Sequence, residues 1–114
     1  MKQGDVILTP LPQADGKDKY RPAVFLREMP PFRDCLVCGV STQLQHIVEG
    51  FDEIISIQDA DFISSGLMSE SLIRLGFLAV IPRRKIIGSI GSLNIDRHHR
   101  LLSKLCDYLL QANT

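Results

Sequence analysis

The stretch from Asn94 to Leu110, NIDRHHRLLSKLCDYLL, decides how this chain is read, because it has the length and period of a full helix. Asn94 is placed to cap its start, and Asp96 sits in the first turn, where the helix dipole favours an acid. At about 100° per residue, Ile95, Leu101, Leu102, Leu105, Cys106, Leu109 and Leu110 gather on one side, and Asp96, Arg100, Lys104, Asp107 and Gln111 on the other. The pattern predicts an amphipathic helix laid on a sheet.

Working outward from the helix, the chain breaks into short apolar runs. Ser71 to Ile81 (SLIRLGFLAVI) is the longest and reads as a strand, with Gly76 at a bulge or bend. Pro82-Arg83-Arg84-Lys85 connects it to a last short strand, Lys85 to Ile90, ended by Gly91. Asp34 to Val40 (DCLVCGV) and Glu53 to Ile57 read as buried strands, and Asp59 to Ser65 as a helical turn or a loop. Pro22 opens a strand through Leu26, broken by Met29-Pro30-Pro31. The first strand runs from Gly4 to Leu11, with Val6 and Leu8 alternating against Asp5, Ile7 and Thr9, and it ends at Pro10 and Pro12. Gln13 to Tyr20 (QADGKDKY) is a polar loop turning at Asp15-Gly16. Five or six short strands and one terminal helix predict a mainly β (α+β) fold, a compact and mostly antiparallel barrel or curled sheet.

Composition sets the outer bounds. The 114 residues fit one domain over 1–114, and 45% hydrophobic residues suffice for one core. Thirteen basic and 13 acidic residues sum to zero, which excludes a polycationic coat protein but not a local basic groove. A charged fraction of 23% excludes wholesale disorder. Met1 to Asp5 has no apolar leader core, no apolar run approaches the roughly 20 residues that span a bilayer, and three cysteines make no disulfide framework. The expectation is a cytoplasmic protein with no membrane partner.

Several motifs carry a structural and a chemical reading side by side. Cys35-Leu-Val-Cys38 has CxxC spacing. Residues three apart on a strand point to opposite faces, and no second CxxC completes a zinc site, so both read as core cysteines. His98 and His99 fall in the helix's apolar arc and read as packing or interface residues, being adjacent rather than four apart. His46 lies in the polar loop Gln43 to Gly50, as solvated loop or as an acid–base group. Arg83-Arg84-Lys85 is a solvated connector or a contact for an anionic polymer. Arg21-Pro22-Ala23 opens one strand and Ser41-Thr42-Gln43 follows the next, which brings Arg21 and Ser41 to neighbouring strand ends. That pairing suits phosphodiester chemistry. A guanidinium holds two phosphate oxygens, and a hydroxyl binds a third or orients the attacking group. A surface arginine before a proline is the competing reading.

These pieces together are similar to a known family. Gly4-Asp5-Val6-Ile7-Leu8, then the polar loop, then Arg21-Pro22-Ala23-Val24 resembles the opening of MazF/PemK-like toxins, the mRNA interferases of type II toxin–antitoxin pairs. Val40-Ser41-Thr42-Gln43 is similar to the motif after their third strand, Ser71-Leu72-Ile73-Arg74 to a later strand carrying another arginine, and Ile87-Gly88-Ser89-Ile90-Gly91 to the strand before their terminal helix. The resemblance covers nearly the whole chain, in order.

The resemblance implies a small SH3-like open barrel that forms a homodimer. It also implies an endoribonuclease needing neither metal nor other cofactor, which cuts single-stranded RNA by 2′-OH attack and leaves a cyclic phosphate. A cognate antitoxin would block the RNA groove with a tail that folds on binding. Residue by residue, Arg21 matches the catalytic or phosphate-binding arginine, Ser41 the active-site Thr or Ser, and Arg74 an arginine that some members use as general acid. Lys17, Lys19, Thr42 and Gln43 are candidate RNA contacts. The acid that some members carry two positions after the later arginine is Gly76 here. Three alternatives follow: Arg21 and Ser41 suffice, or Asp15, Asp18 or His46 supplies a base, or activity is reduced. A catalytically weak or inactive barrel that binds RNA or a protein partner is the alternative function.

Overall fold

A computed structural model describes residues 1–111. Six strands form one antiparallel sheet: β1 (Asp5–Pro12), β2 (Asp18–Met29), β3 (Asp34–Ser41), β4 (Glu53–Ile55), β5 (Ser71–Ile81) and β6 (Gly88–Ser92). Their order across the sheet is β4-β5-β3-β2-β1-β6. A one-turn helix α1 (Phe62–Ser65) lies between β4 and β5, and α2 (Ile95–Leu110) closes the chain. The sheet curls into a half-barrel, the mainly β architecture expected of the sequence.

Curling covers both faces of the central strands. Val6, Val24, Leu26, Cys38, Ile73 and Leu75 pack with Leu101 and Leu105 of α2. Ile7, Leu11, Ala23, Phe25, Cys35 and Val37 form a second core on the opposite face, edged by Phe77, Ala79, Ile81 and Ile86. The expected alternation in β1 is therefore corrected: Ile7 and Thr9 are as fully buried as Val6, because a strand inside a curled sheet has no solvent face. Cys35 and Cys38 fall into different cores, as strand geometry requires of residues three apart. Both are free thiols, and full burial pushes Cys38 up to about 12.

Other boundaries shift for identifiable reasons. β2 begins at Asp18, not Pro22. Pro22 pairs with Leu8 of β1, while the ladder to β3 begins only at Ala23, so its missing N–H breaks no bond. β4 stops at Ile55, short of Ile57, where Ser56 N–H turns to Asp59 Oδ2 at 2.9 Å. The last strand starts at Gly88 rather than Lys85, since Arg83–Lys85 forms a 3-10 turn after Pro82. β5 spans the expected Ser71–Ile81 and bulges around Gly76: Arg74 lies opposite Gly39 and Leu78 opposite Cys38, so Leu75 to Phe77 are extra. The freed Leu75 N–H donates to buried Asp52 Oδ1 at 3.0 Å.

The Asn94 side chain caps α2 by accepting from Arg97 N–H at 2.8 Å. Its buried stripe is narrower than the apolar arc. Leu101 and Leu105 are buried and Leu102 half-buried, whereas Ile95, Cys106, Leu109 and Leu110 are exposed. His98 is half-buried with Nε2 2.8 Å from Leu26 O, and His99 is exposed.

The polar side of α2 is not purely solvated either. Arg97 is buried and donates to Glu53 Oε1, Asp59 Oδ2 and Asp61 Oδ2, each at 2.9 Å. Arg100 and Lys104 reach Glu53 as well, at 2.9 and 3.1 Å. Burial raises the affinity of Glu53 and Asp61 for a proton. Opposing it, Arg100 and Lys104 around Glu53 and Arg97 beside Asp61 hold both carboxyls below their ordinary range.

Candidate active site

The register of the sheet sets the site. Ala23 of β2 pairs with Gly39 of β3, the end rung of that ladder, and Arg21 and Ser41 each lie two residues beyond it. On the other side of β3, Gly39 pairs with Arg74 and Ser41 with Leu72. Three consecutive strands thus deliver Arg21, Ser41 and Arg74 to one rim. A cleft of about 420 Å³ opens there, lined by all three together with Thr42 and Gln43.

Each side chain is held by local chemistry. Arg21 is exposed, and its Nη2 donates to Gln13 Oε1 at 3.2 Å, which steers it from the hairpin turn and leaves other guanidinium donors free. Ser41 Oγ accepts from Gln43 N–H at 3.0 Å, a turn that leaves the hydroxyl proton to donate. Gln43 Oε1 accepts from Gln45 Nε2 at 2.9 Å. The Arg74 guanidinium lies 5.6 Å from the Phe77 ring centroid, a cation–π contact on the cleft wall.

The opposite wall comes from Gly66, Leu67, Met68 and Ser69, with Ile90 of β6. Gly66 ends α1 with φ +75°, and a Cβ there would run into the Ile90 carbonyl. Gly91 presses as closely on the backbone of Ser64 and Ser65. This backbone contact fixes the 66–69 loop against β6. Nothing in the spacing around Leu67 and Met68 announces a role in the site, because it depends on the fold bringing α1 to β6. Gln13, in the loop from Pro12 to Tyr20 expected to contact RNA, joins the lining although no motif singles it out.

Other expected residues lie elsewhere. Lys17 sits in the hairpin turn, its N–H donating to Asp15 Oδ1 at 3.0 Å, outside the cleft lining. Lys19 and Asp18 line a separate hollow. His46 is exposed in the 3-10 turn Leu44–His46 and does not line the cleft. Gly76 also stands outside it, the nearest atom to a Cβ there being Phe51 Cε2 at 3.9 Å. Among the described residues, the cleft lining holds two guanidiniums and no Asp, Glu, His or Cys. Chemically, such a surface can bind an anion and stabilise growing negative charge.

Among the described residues no helix is long and apolar enough to cross a membrane. A search of curated proteins finds no match to the chain. A family model described as PemK-like, MazF-like toxin of type II toxin-antitoxin system matches residues 2–109. That span includes every strand, the cleft and all but the last residue of α2, and the chain therefore belongs to the PemK-like, MazF-like toxin family of type II toxin–antitoxin systems.

Proposed function

We propose that the protein is the toxin's endoribonuclease, cutting single-stranded RNA at the Arg21–Ser41–Arg74 cleft. The observation that carries this reading is the meeting of two guanidiniums and a free hydroxyl proton in one cleft whose lining, among the described residues, holds no opposing acid. The reaction forms a bond from the ribose 2′ oxygen to phosphorus and breaks the bond to the 5′ oxygen, leaving a 2′,3′-cyclic phosphate and a 5′-hydroxyl. Negative charge builds on the phosphorus oxygens. Arg21 holds two of them, and Ser41 donates to a third. Arg74, steadied on Phe77, faces the charge on the departing oxygen. Thr42 and Gln43 contact the neighbouring nucleotide.

Position supports the alternative in which Arg21 and Ser41 suffice. Asp15, Asp18 and His46 are outside the cleft lining, and so is position 76. In this reading the 2′ proton passes to solvent, the departing 5′ oxygen takes up a proton from solvent, and rate acceleration rests on charge stabilisation. A cognate antitoxin silences the enzyme by covering this cleft, and two copies assemble as a homodimer.

The test is cleavage of mixed-sequence RNA in EDTA. Wild type cuts and yields cyclic-phosphate ends; Arg21→Ala is slower by about 100- to 1000-fold, the usual loss for one oxyanion donor. The lack of a carboxylate or imidazole in the cleft favours one second reading, a binding module without chemistry. Wild type that binds RNA but leaves it intact would select that module.

A further inference from the structure

A second hollow, of about 500 Å³, lies beside the cleft, and β2 connects the two. Asp18, Lys19 and Tyr20 line the hollow; the next two residues, Arg21 and Pro22, line the cleft. The far wall is Arg84, Lys85 and Ile87, following β5. Consecutive residues of β2 stand about 3.3 Å apart and point to opposite faces, so the hollow and the cleft adjoin at the hairpin end of β2 rather than along one face.

Three cations meet one acid in this hollow. The basic run Arg83-Arg84-Lys85 divides its labour. Arg83 is committed to the fold: its Nη2 donates to Glu28 Oε1 at 2.7 Å, its Nε to Arg33 O at 2.9 Å, and its guanidinium lies over Phe25. Arg84 and Lys85 are exposed. Among the described residues neither they nor Lys19 forms an ion pair. Tyr20 lines the same hollow and is 61% exposed, an aromatic face with no core to serve. Unpaired cations around an exposed ring are the parts of a single-strand nucleic-acid surface, which combines phosphate neutralisation with base stacking.

We propose that this hollow is a second RNA contact, in which Lys19, Arg84 and Lys85 hold backbone phosphates and Tyr20 stacks on a base of the strand leaving the cleft. The proposal rests on the reading of the cleft as an RNA site. The exposed ring favours RNA over an acidic polypeptide, which needs cations but no stacking face.

The probe is a labelled mixed-sequence deoxyoligonucleotide, which lacks the 2′-OH and stays intact while its affinity is measured against salt. Arg84→Gln with Lys85→Gln weakens binding and flattens the log–log salt slope by about 1.4, near 0.7 for each lost phosphate contact. Tyr20→Ala weakens binding on the order of tenfold and leaves the slope unchanged. These side chains are exposed, so an unchanged thermal midpoint checks the fold. If Arg21→Ala weakens binding while the hollow variants match wild type, the second contact is overturned and the cleft stands. If the hollow variants behave as expected but wild type does not cut RNA, the contact stands and the nuclease reading fails. Absence of any oligonucleotide binding overturns both. Tight binding of oligoglutamate with no effect of Tyr20→Ala assigns the hollow to an acidic polypeptide instead.

Discussion

Thr9 is fully buried, and among the described residues its Oγ1 has no hydrogen-bond partner. A buried hydroxyl left unpaired costs stability, and valine has nearly its shape without the polar atom. Thr9→Val should therefore raise the unfolding free energy by about 0–1 kcal/mol in a denaturant titration; a loss above that range would mean the hydroxyl has an uncounted partner. Arg21 and Arg97 show why residue type alone misleads. Both are arginines in polar surroundings of the sequence, yet Arg21 ends exposed at a cleft and Arg97 ends buried among three carboxylates. The motif Arg21-Pro22-Ala23 was legible as a site because its neighbours repeat a family pattern. No local pattern marks Arg97, whose partners Glu53, Asp59 and Asp61 lie 44, 38 and 36 positions away.

At the scale of elements, the contact of α1 with β6 builds one wall of the cleft. Ser64 Oγ donates to Ser92 O at 3.0 Å, and the glycines at 66 and 91 let the two backbones touch. Gly66→Ala meets both a left-handed φ and the Ile90 carbonyl, so it should cost at least about 2 kcal/mol and slow RNA cleavage by displacing Leu67 and Met68. Normal stability with normal cleavage would show that the wall is not set by this contact. Strand identities were readable from apolar runs, and β5 fell where expected. Strand ends were less so. The start of β2 and the Arg83–Lys85 turn depend on which edge of the sheet a proline or a turn faces, a pairing fact rather than a local one. In α2 the apolar arc states what a helix is able to bury, and of that arc the fold buries Leu101 and Leu105 while Ile95, Cys106, Leu109 and Leu110 stay exposed.

For the whole molecule, α2 is tied to the β4–α1 segment by the Arg97 cluster, and this gives a pH signature. Glu53, Asp59 and Asp61 have folded pKa values below their ordinary ones, so the unfolded chain binds more protons in acid. Their contribution is full above about pH 5 and is lost as pH falls through about 4 and below. Thermal midpoints across pH 3 to 7 should follow that course, and Arg97→Met should cost about 3–5 kcal/mol at pH 7 by leaving buried Asp61 without its cation, Glu53 keeping Arg100 and Lys104. A pH-independent midpoint would contradict the cluster's role. Leu78 and Val80 of β5 are 40% and 53% exposed, an apolar strip suited to the proposed dimer. Sedimentation should give a dimer for wild type and a monomer for Val80→Asp. The neutral charge sum now has a spatial meaning. Glu53, Asp59 and Asp61 pair with Arg97, Arg100 and Lys104, while Arg21, Arg74, Lys19, Arg84 and Lys85 form no ion pair among the described residues. By itself the sequence determined the element types, the helix cap, the core role of the two strand cysteines and the family pattern, since each rests on contacts or periodicities within a few residues. Only the tertiary structure decided which cations line the cleft, which face a carboxylate, and that among the described residues no Asp, Glu or His lines the cleft, because those depend on strand register and on how far the sheet curls.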